Sequence, residues 1–519
     1  MLLIILSGWA IRIIGYKYNV FFYYYRRGDE PAAYHKALLY LSAQDKKAHE
    51  LPLTQSEEEA TYLGSALLGA GGVLPGPLQN MILAFGIRRS GDIEGAHILT
   101  LMLHCLAILL VFHGTLILFG RGAALMTAMM TSLFFWPVYY SFGMWHPHFI
   151  PVMSSLTFWA LALYERYRKP VFAGLAAFFY TLFFQFHLIG AFLVFFIVFY
   201  FIFFVENKKH FLIGTGTGVI FALILFYRKY LSVEFTTGFS NIRNLMIHGL
   251  FHIEVLKIFS NVIVVGSAEI SRVIYGGFKA YLAFYRKYMG SFAAAVPIIL
   301  LSLALPAYSY YYIFRHTFIR LFRTNIKKWK ETISGDRSLF FISAWFFIPW
   351  AFYLIRLKYH ELRFVALDFP VMYTMFSIAL MALHARIKRK IIPVLISVIV
   401  IFNIALSFFT YDWGGSFLAK EPHMIFSLRY YDAVARIIIH DLKEVKKSSY
   451  VIEFDHEKAG EQASDWYSAL RQHINRTTFS EVLFDPSSEN IYRLSNTEEI
   501  KGYKMLHKIY TVHLHKKKK

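Results

Sequence analysis

The sequence has 519 residues, of which 57% are hydrophobic and 18% aromatic, while only 17% are charged. A water-soluble fold with this composition would have too few polar residues to cover its surface. The composition therefore excludes a water-soluble fold and indicates a membrane protein. The formal net charge of +21 does not indicate nucleic-acid binding, because the basic residues are scattered over short loops without a known nucleic-acid motif.

Apolar runs of roughly 17 to 25 residues, the length that crosses a bilayer, recur up to about residue 410. They predict an all-α polytopic membrane module over 1–410. Its helices number about eleven, near 1–20, 96–119, 122–142, 147–164, 170–186, 187–205, 211–227, 291–314, 338–356, 364–384 and 391–410.

The first apolar run is predicted to be a retained span. It has no small-residue cleavage site, and Arg12, Lys17, Arg26 and Arg27 lie within it or shortly after it. A cleaved signal peptide has a different arrangement of charge and small residues.

Basic segments predict the orientation. Lys and Arg are concentrated at 164–170, 206–210, 314–337 and 385–390, which all fall on one side of the alternating count. The positive-inside rule makes that side cytoplasmic. The parts that then face outward are the loops 16–95, 228–290 and 357–363 and the tail 411–519.

Two further patterns narrow the function. Cys105 is the one cysteine of the sequence, so an intramolecular disulfide and a Cys-based metal cage are excluded. We see no internal repeat at solenoid periods and no matched pair of Gly/Pro-interrupted segments, which weakens a transporter hypothesis without removing it.

Two carboxylates, Asp29 and Glu30, precede Pro31 just after the first apolar run. Apolar residues at helical spacing from Tyr34 to Leu41 predict a helix that begins at these acids, with proline in its first turn. Such an acid can be an ordinary N-cap. The same position keeps a carboxylate ionised and suits it to accept a proton from a hydroxyl, so both interpretations stay open.

The outward regions divide into two kinds. Segment 242–259 has apolar residues at helical spacing and predicts either helices in the interface plane or a packed helical loop without substrate contact. After residue 410, segment 430–447 predicts an amphipathic helix and 448–454 a strand. Residues 411–519 are therefore predicted to form a small α/β domain on the outer face.

The run at 10–42 resembles the opening of the GT-C superfamily of glycosyltransferases, in particular the branch of protein O-mannosyltransferases and lipid A aminoarabinose transferases. Those enzymes begin with a span ending in arginine, followed by a non-cytoplasmic loop with Asp-Glu, two residues and an aromatic. The residues that carry the resemblance are Arg12, Asp29, Glu30 and Tyr34, although three residues rather than two separate Glu30 from Tyr34.

Two later segments continue the resemblance with departures. "LPGPLQNMIL" (74–83) is similar to the family's Pro-Pro-Leu segment, with Gly76 in place of the first proline. "SGDIEGAHIL" (90–99) has Glu94 at the family's acidic position and His97 where arginine is usual.

Three further segments follow in the family's order. They are 142–156, with His146 in place of an asparagine; 183–194, through Gln185 and His187; and 356–370, through Tyr359, His360, Arg363 and Pro370, with Phe364 where tyrosine is common. All lie on the outer side of the topology predicted from charge.

The resemblance implies transfer of one sugar from a polyprenyl-phosphate donor to an acceptor hydroxyl of a protein, glycolipid or polysaccharide. It implies a bacterial inner membrane, with the site facing the periplasm. Because the donor's tail lies in the bilayer, no Rossmann fold or Gly-rich phosphate loop is needed, and none is visible. No cofactor is expected, and a divalent metal is not indicated.

The site residues follow from that chemistry. Asp29 is expected to be the general base, with Glu30 or Glu94 orienting a substrate, and inversion is expected because no separate nucleophile is visible. Cations are needed near the leaving phosphate. The residues expected there are Lys358, Tyr359, His360 and Arg363, and those expected near substrate are Tyr34, His146 and His187.

The alternatives are structural or belong to other function classes. Lys358 and Arg363 can snorkel from helix ends, and His146, His148 and His187 can be polar packing groups. A transporter or flippase of lipid-linked or polar substrates would place Asp29 in a pathway. A noncatalytic scaffold would tolerate loss of its charge.

Overall fold

The computed structural model describes residues 1–17, 29–67, 72–91, 93–247, 255–271, 274, 277–356, 365–387 and 391–418. It also describes 437–438, 440–441 and the strands of the carboxyl-terminal region. Up to residue 418, the regular secondary structure of this part of the chain is helical apart from one short hairpin.

Residues 1–91 form a first helix and a small subdomain. Its elements are α1 (Leu2–Lys17), α2 (Asp29–Ala48), α3 (Gln55–Ala60), β1 (Leu63–Leu67), β2 (Gly72–Pro75) and α4 (Leu78–Ser90). The predicted helix start is confirmed, since α2 begins at Asp29 with Pro31 in its first turn. Strands β1 and β2 pair antiparallel.

A capping box fixes the start of α3. The Glu57 carboxylate accepts hydrogen bonds from the Thr54 N–H, the Ser42 hydroxyl and the Lys46 ammonium, at 2.8, 2.6 and 2.8 Å. Burial alone would raise the pKa of Glu57, but these hydrogen bonds outweigh it and lower that pKa. The capping box therefore also ties α3 to α2.

The remaining helices make up the bundle and its connecting segments. They are α5 (Ile93–Phe119), α6 (Arg121–Leu133), α7 (Phe135–Tyr140), α8 (Ile150–Tyr167), α9 (Pro170–Phe183), α10 (Leu193–Phe203), α11 (Lys208–Ala222), α12 (Arg228–Thr236), α13 (Ser240–Ile247), α14 (Val255–Val265), α15 (Gly277–Met289), α16 (Phe292–Phe314), α17 (Arg320–Phe322), α18 (Trp329–Gly335), α19 (Arg337–Arg356), α20 (Phe369–Ile387) and α21 (Ile391–Leu418).

Five stretches within the described residues are long and apolar enough to cross a membrane. They are Glu94–Phe119, Lys208–Thr236, Phe292–Phe322, Ala366–Ile387 and Ile392–Trp413. The six other predicted spans also fall on helices, most of them shorter. The protein is therefore a multi-pass membrane protein, while eleven spans stays a prediction.

Two helices differ from the predicted spans. The helix predicted to end at 227 continues through a π-helical turn, Leu223–Tyr227, into α12 and ends at Thr236. The span predicted at 122–142 breaks at Phe134, which has extended backbone. Asn403 of α21 compensates for that break, because its side-chain oxygen accepts a hydrogen bond from the Phe135 N–H at 3.0 Å.

Glycine allows α9 and α11 to pack with their backbones in contact. A Cβ at Gly218 would overlap the carbonyl of Gly174, and a Cβ at Gly214 would overlap that of Pro170. Small residues permit such close approach of helices in membranes.

Arg12, the arginine of the first motif, holds α1 against α6. Its guanidinium is buried and donates to the carbonyls of Gly8, Ser132 and Thr131 at 2.9, 2.8 and 3.3 Å. Three charge-assisted hydrogen bonds to carbonyls offset part of the cost of burying this cation.

An ionic cluster lies at the side predicted to be cytoplasmic, and we call it the paired cluster. Its members are Glu165, Arg168, Tyr200, Glu206 and Arg337. The buried Glu165 carboxylate accepts from the Tyr200 hydroxyl and pairs with Arg337 at 2.6 Å and Arg168 at 2.9 Å. Arg337 also pairs with the exposed Glu206 at 3.3 Å. The cluster joins α8, α10 and α19.

The carboxyl-terminal region contains a five-stranded sheet. Its strands are β3 (Ser449–Phe454), β4 (Leu483–Phe484), β5 (Ile491–Ser495), β6 (Tyr503–Ile509) and β7 (Val512–Lys517), in the order β4-β3-β5-β7-β6. The pairs β3-β4 and β3-β5 are parallel, and the others antiparallel. The predicted strand at 448–454 is confirmed. Most of the predicted helix 430–447 lies outside the described residues.

Candidate functional site

Two of the sequence motifs meet at Gln185. Its side-chain oxygen accepts from the Leu78 N–H at 2.9 Å, and its amide donates to the carbonyl of Phe226 at 3.3 Å. Gly76 has a φ of 89°, and a Cβ there would overlap the Gln185 side chain. The position at which the sequence departs from the family pattern therefore requires glycine for two reasons, its backbone conformation and its closeness to Gln185.

The same segment is attached to the turn of a third motif. Gln79 is fully buried and donates to the carbonyl of Met144 at 2.9 Å. Asn80 donates to the carbonyls of Ala60 and Leu63 at 3.0 and 2.9 Å. Residues 74–80 thus connect the first subdomain to the helix ends of the bundle. We call this side of the bundle the loop side.

His146 and His187 are brought together on the loop side. Both are buried, and their ring centroids are 5.3 Å apart. The Nδ1 of His187 accepts from the Ile189 N–H at 3.0 Å and so caps the next turn. Nearby, the Nδ1 of His148 lies 2.9 Å from the carbonyl of Tyr140.

These histidines do not form a metal centre with described acids or cysteine. No group of three or more His, Cys, Asp or Glu within the described residues is placed to hold a metal ion. A zinc site would need three or four such ligands around one point.

A cavity of about 500 Å³ lies between the first subdomain and the loop-side end of the long helix α11–α12. Its walls include Thr61, Tyr62 and Pro77 on one side and residues of the helical segment between Ile224 and Ser232 on the other. Pro77 directly precedes Leu78, and Phe226 lines the cavity, so the Gln185 contacts also fix two of its walls.

The cavity combines cations with exposed apolar side chains. Lys229 donates to the Thr61 hydroxyl at 2.9 Å, lies 3.3 Å from a Glu58 oxygen and sits over the Tyr62 ring at 5.0 Å. Arg228 is exposed and makes no ion pair with any described residue. Beside them, Ile224 and Leu225 are 60% and 54% exposed.

The π-helical turn places this arrangement. It widens the helix just before Arg228, where the Phe226 carbonyl receives its hydrogen bond from Gln185 and the Tyr227 hydroxyl donates to the carbonyl of Thr181 at 2.6 Å. Single π-helical turns inside α-helices are frequently found at functional sites.

The predicted acids and Tyr34 have different positions. Asp29 and Glu30 are the first two residues of α2, and their side chains lie outside the described residues. Tyr34 is buried in the hydrophobic core at 3% exposure. Glu94 lies half-exposed in the first turn of α5.

The predicted phosphate-binding residues Lys358, Tyr359, His360 and Arg363 lie outside the described residues. Of the predicted set, the structure therefore brings together His146 and His187. The others stay predictions.

Sequence reasoning missed three residues of interest. Arg228 and Lys229 follow an apolar run, and this position was the available signal. Asp368, the acid of the short run before Pro370, is 1% exposed; one carboxylate oxygen accepts from the Trp350 indole at 2.7 Å, and the other has no partner among the described residues. An ionisable residue buried in a membrane segment is a functional candidate.

Comparisons with known proteins show a similar fold among solved structures. No protein-family model and no curated protein matches the sequence. Among solved structures, ArnT from Cupriavidus metallidurans in the apo state matches with a TM-score of 0.51 and 10% identity, over 98% of each chain. The same protein bound to undecaprenyl phosphate matches with a TM-score of 0.51 and 9% identity, over 99% of this chain and 97% of that one.

A more distant match is the oligosaccharyltransferase AglB from Archaeoglobus fulgidus, in complex with an inhibitory peptide and a dolichol-phosphate. Its TM-score is 0.42 and its identity is 11%, over 94% of this chain and 69% of that one. The likeness to ArnT extends over nearly the whole chain, including residues beyond 410, where the sequence motifs stop. The protein therefore has the GT-C-like fold that its sequence predicted.

Proposed function

We propose that this protein is an integral-membrane glycosyltransferase that takes a sugar from a polyprenyl-phosphate-linked donor. The acceptor is a hydroxyl on a protein, glycolipid or polysaccharide, and the reaction takes place on the loop side. In a bacterial inner membrane this side faces the periplasm. The observation that carries the proposal is the cavity with cations beside an exposed apolar helix surface.

A lipid-phosphate donor has an apolar tail and an anionic head. Ile224 and Leu225 belong to the apolar surface of a helix long enough to cross the membrane, and Arg228 and Lys229 follow within one turn. The apolar tail would pack against Ile224 and Leu225, and the phosphate would accept charge-assisted hydrogen bonds from Arg228 and Lys229. The cavity volume of about 500 Å³ lies within the range of about 300 to 1,000 Å³ that is usual for ligand sites.

The likeness to a fold solved with undecaprenyl phosphate supports the same donor class. It shows a shared fold only, so the choice of donor depends on the chemistry of the cavity. Which sugar is carried follows from neither observation.

Asp29 serves as general base in this proposal. It removes the proton of the acceptor hydroxyl while that oxygen attacks the anomeric carbon, and the bond from this carbon to the carrier phosphate breaks with inversion. Glu30 and Glu94 orient a substrate, and His146 and His187 form a polar wall. Developing charge on the leaving phosphate is stabilised by Arg228 and Lys229, together with the cations that the resemblance implies at 358–363.

Purified protein in detergent tests this directly. Radiolabelled sugar is followed from polyprenyl-phosphate donors in the wild type, in Asp29→Asn and in Asp45→Asn, a control on the same helix whose acid is exposed. We expect Asp29→Asn to lower the rate about 10²- to 10⁴-fold, the range of general-base catalysis, with donor binding retained. A folded wild type that neither binds nor consumes any donor would overturn the proposal.

A transporter or flippase of lipid-linked or polar substrates is the second candidate, and Asp368 favours it. Transport relays place acids inside spans, and Asp368 is such an acid, with one unpartnered oxygen in the described part of the chain. In sealed proteoliposomes, transport of a labelled lipid-phosphate across the bilayer that stops in Asp368→Asn, without release of sugar, would establish this function instead.

A further inference from the structure

Lys36 is a half-buried cation that anchors the hairpin of the first subdomain. It lies seven residues after Asp29 on α2, so both positions are on the same face of that helix. Its ammonium donates a hydrogen bond to the carbonyl of Gly64 in β1. Among the described residues, Glu59 of α3 is the charged group whose field acts on it.

The strand that Lys36 contacts begins directly after Tyr62, which lines the cavity. Gly64 lies against Gly76, since a Cβ on Gly64 would be 3.1 Å from the carbonyl oxygen of Gly76. The Gly76 N–H donates to the carbonyl of Tyr62 at 3.0 Å. Tyr62 and Pro77, the neighbours of these groups, both line the cavity.

A charged ammonium at this place is a cost to the fold. Burial lowers the pKa of Lys36 to about 8, and Glu59 opposes this shift only in part. An apolar side chain would fill the same space without desolvating a charge. The contact with Gly64 is therefore better explained by what it positions than by stability.

We propose that Lys36 is a positioning residue whose ammonium fixes the cavity walls at Tyr62 and Pro77 relative to the start of α2. The inference rests on the proposed function, because it assigns the donor-binding cavity and the acid at Asp29 to one rigid unit. A charge-assisted hydrogen bond is stronger than a neutral one, so the anchoring needs the protonated amine.

The test compares the wild type with Lys36→Met, Lys36→Arg and Lys47→Met. Lys47 is an exposed lysine of the same helix and serves as control. We expect Lys36→Met to raise the KM for the donor about tenfold or more, the size of one charge-assisted hydrogen bond, while kcat changes less than about twofold. Lys47→Met leaves both constants unchanged.

The pH profile separates positioning from folding. In the wild type the donor KM should rise as pH passes about 8, whereas Lys36→Arg stays flat because its guanidinium remains protonated. Stability should move the other way. The unfolded state binds more protons than the folded state between about 8 and the ordinary lysine pKa near 10.4, so the contribution of this group to stability rises with pH in that window.

Hydrogen exchange gives a readout without a donor. The amides of residues 62–67 and 74–77 should exchange faster in Lys36→Met than in the wild type or Lys47→Met. If wild type transfers sugar but Lys36→Met has the same KM, pH profile and exchange, the positioning role is wrong and the proposed function stands. If no donor is consumed, the proposed function fails, and unchanged exchange would also overturn the anchoring. Should Lys36→Met not fold, the wild-type and Lys36→Arg profiles decide.

Discussion

Two sets of charges in the molecule differ in how completely they are paired. In the paired cluster, the buried carboxylate of Glu165 meets Arg337 and Arg168, and a tyrosine hydroxyl donates to it as well. On the loop side, Arg228 has no ion pair within the described residues, and Asp368 has one oxygen without a partner. Charges that are fully paired hold helices together, whereas incompletely paired charges retain the capacity to bind something else.

The largest effect on stability is expected from breaking the paired cluster. Glu165→Gln leaves two arginines facing a neutral group, and removing one partner of a buried ion pair costs about 3 to 5 kcal/mol. The midpoint of thermal unfolding in detergent measures this. Sugar transfer per folded molecule should stay the same. Glu206→Gln is the matched control, since Glu206 pairs with the same Arg337 but is 70% exposed. Equal midpoints for both variants would contradict the comparison.

The loop-side cations should show the opposite behaviour. We expect the double variant Arg228→Ala/Lys229→Ala to lower kcat/KM for the donor about 10- to 100-fold, because one or two charge-assisted hydrogen bonds to the phosphate are lost. The unfolding midpoint should stay close to that of the wild type. Lys279→Ala, an exposed lysine of α15, is the control. Loss of folding with unchanged kcat/KM would place these cations with the structural charges.

Glu57 sharpens the comparison, since it is a fully hydrogen-bonded acid on the loop side. Its pKa is lowered in the folded state, so its stabilising contribution is present above the ordinary glutamate pKa near 4.3 and is lost as pH falls below it. The free energy of unfolding of the wild type should therefore fall more steeply than that of Glu57→Gln as the pH falls below the ordinary glutamate pKa. Parallel curves would show that Glu57 makes no such contribution.

The smallest effect is expected at an exposed pair. Arg88 and Asp45 lie 2.6 Å apart, with side chains 49% and 45% exposed. Exposed pairs contribute about 0 to 1 kcal/mol, so Asp45→Asn should change the unfolding midpoint by no more than about 2 °C. A larger loss would mean that exposure does not separate structural from incidental charges in this protein.

The sequence predicted what depends on local pattern. Apolar runs located the helices, and Pro31 after two acids located the start of α2. The motif order predicted the GT-C-like fold. The spans could be predicted because helix formation in a membrane depends on the length and apolarity of one segment, and both can be read from the sequence.

Features that depend on packing could not be predicted. Lys229 and Thr61 are 168 positions apart, so nothing local indicated that they share a cavity. The need for glycine at Gly76 became clear only from Gln185. Likewise, Asp368 falls within the predicted span 364–384, but its burial and its hydrogen bond with Trp350 depend on packing that the sequence does not display. The roles expected for Lys358, Tyr359, His360 and Arg363 remain predictions.

The π-helical turn at 223–227 has a geometric consequence for the helix that contains it. Each residue of an α-helix advances the side-chain direction by about 100°, so accommodating one additional residue in a turn swings everything after it by that angle. The same continuous helix can thus present aliphatic groups in one direction before the turn and Arg228 and Lys229 in another after it. One additional residue in this turn is enough to change the direction of the two cationic side chains, and the helix does not have to break.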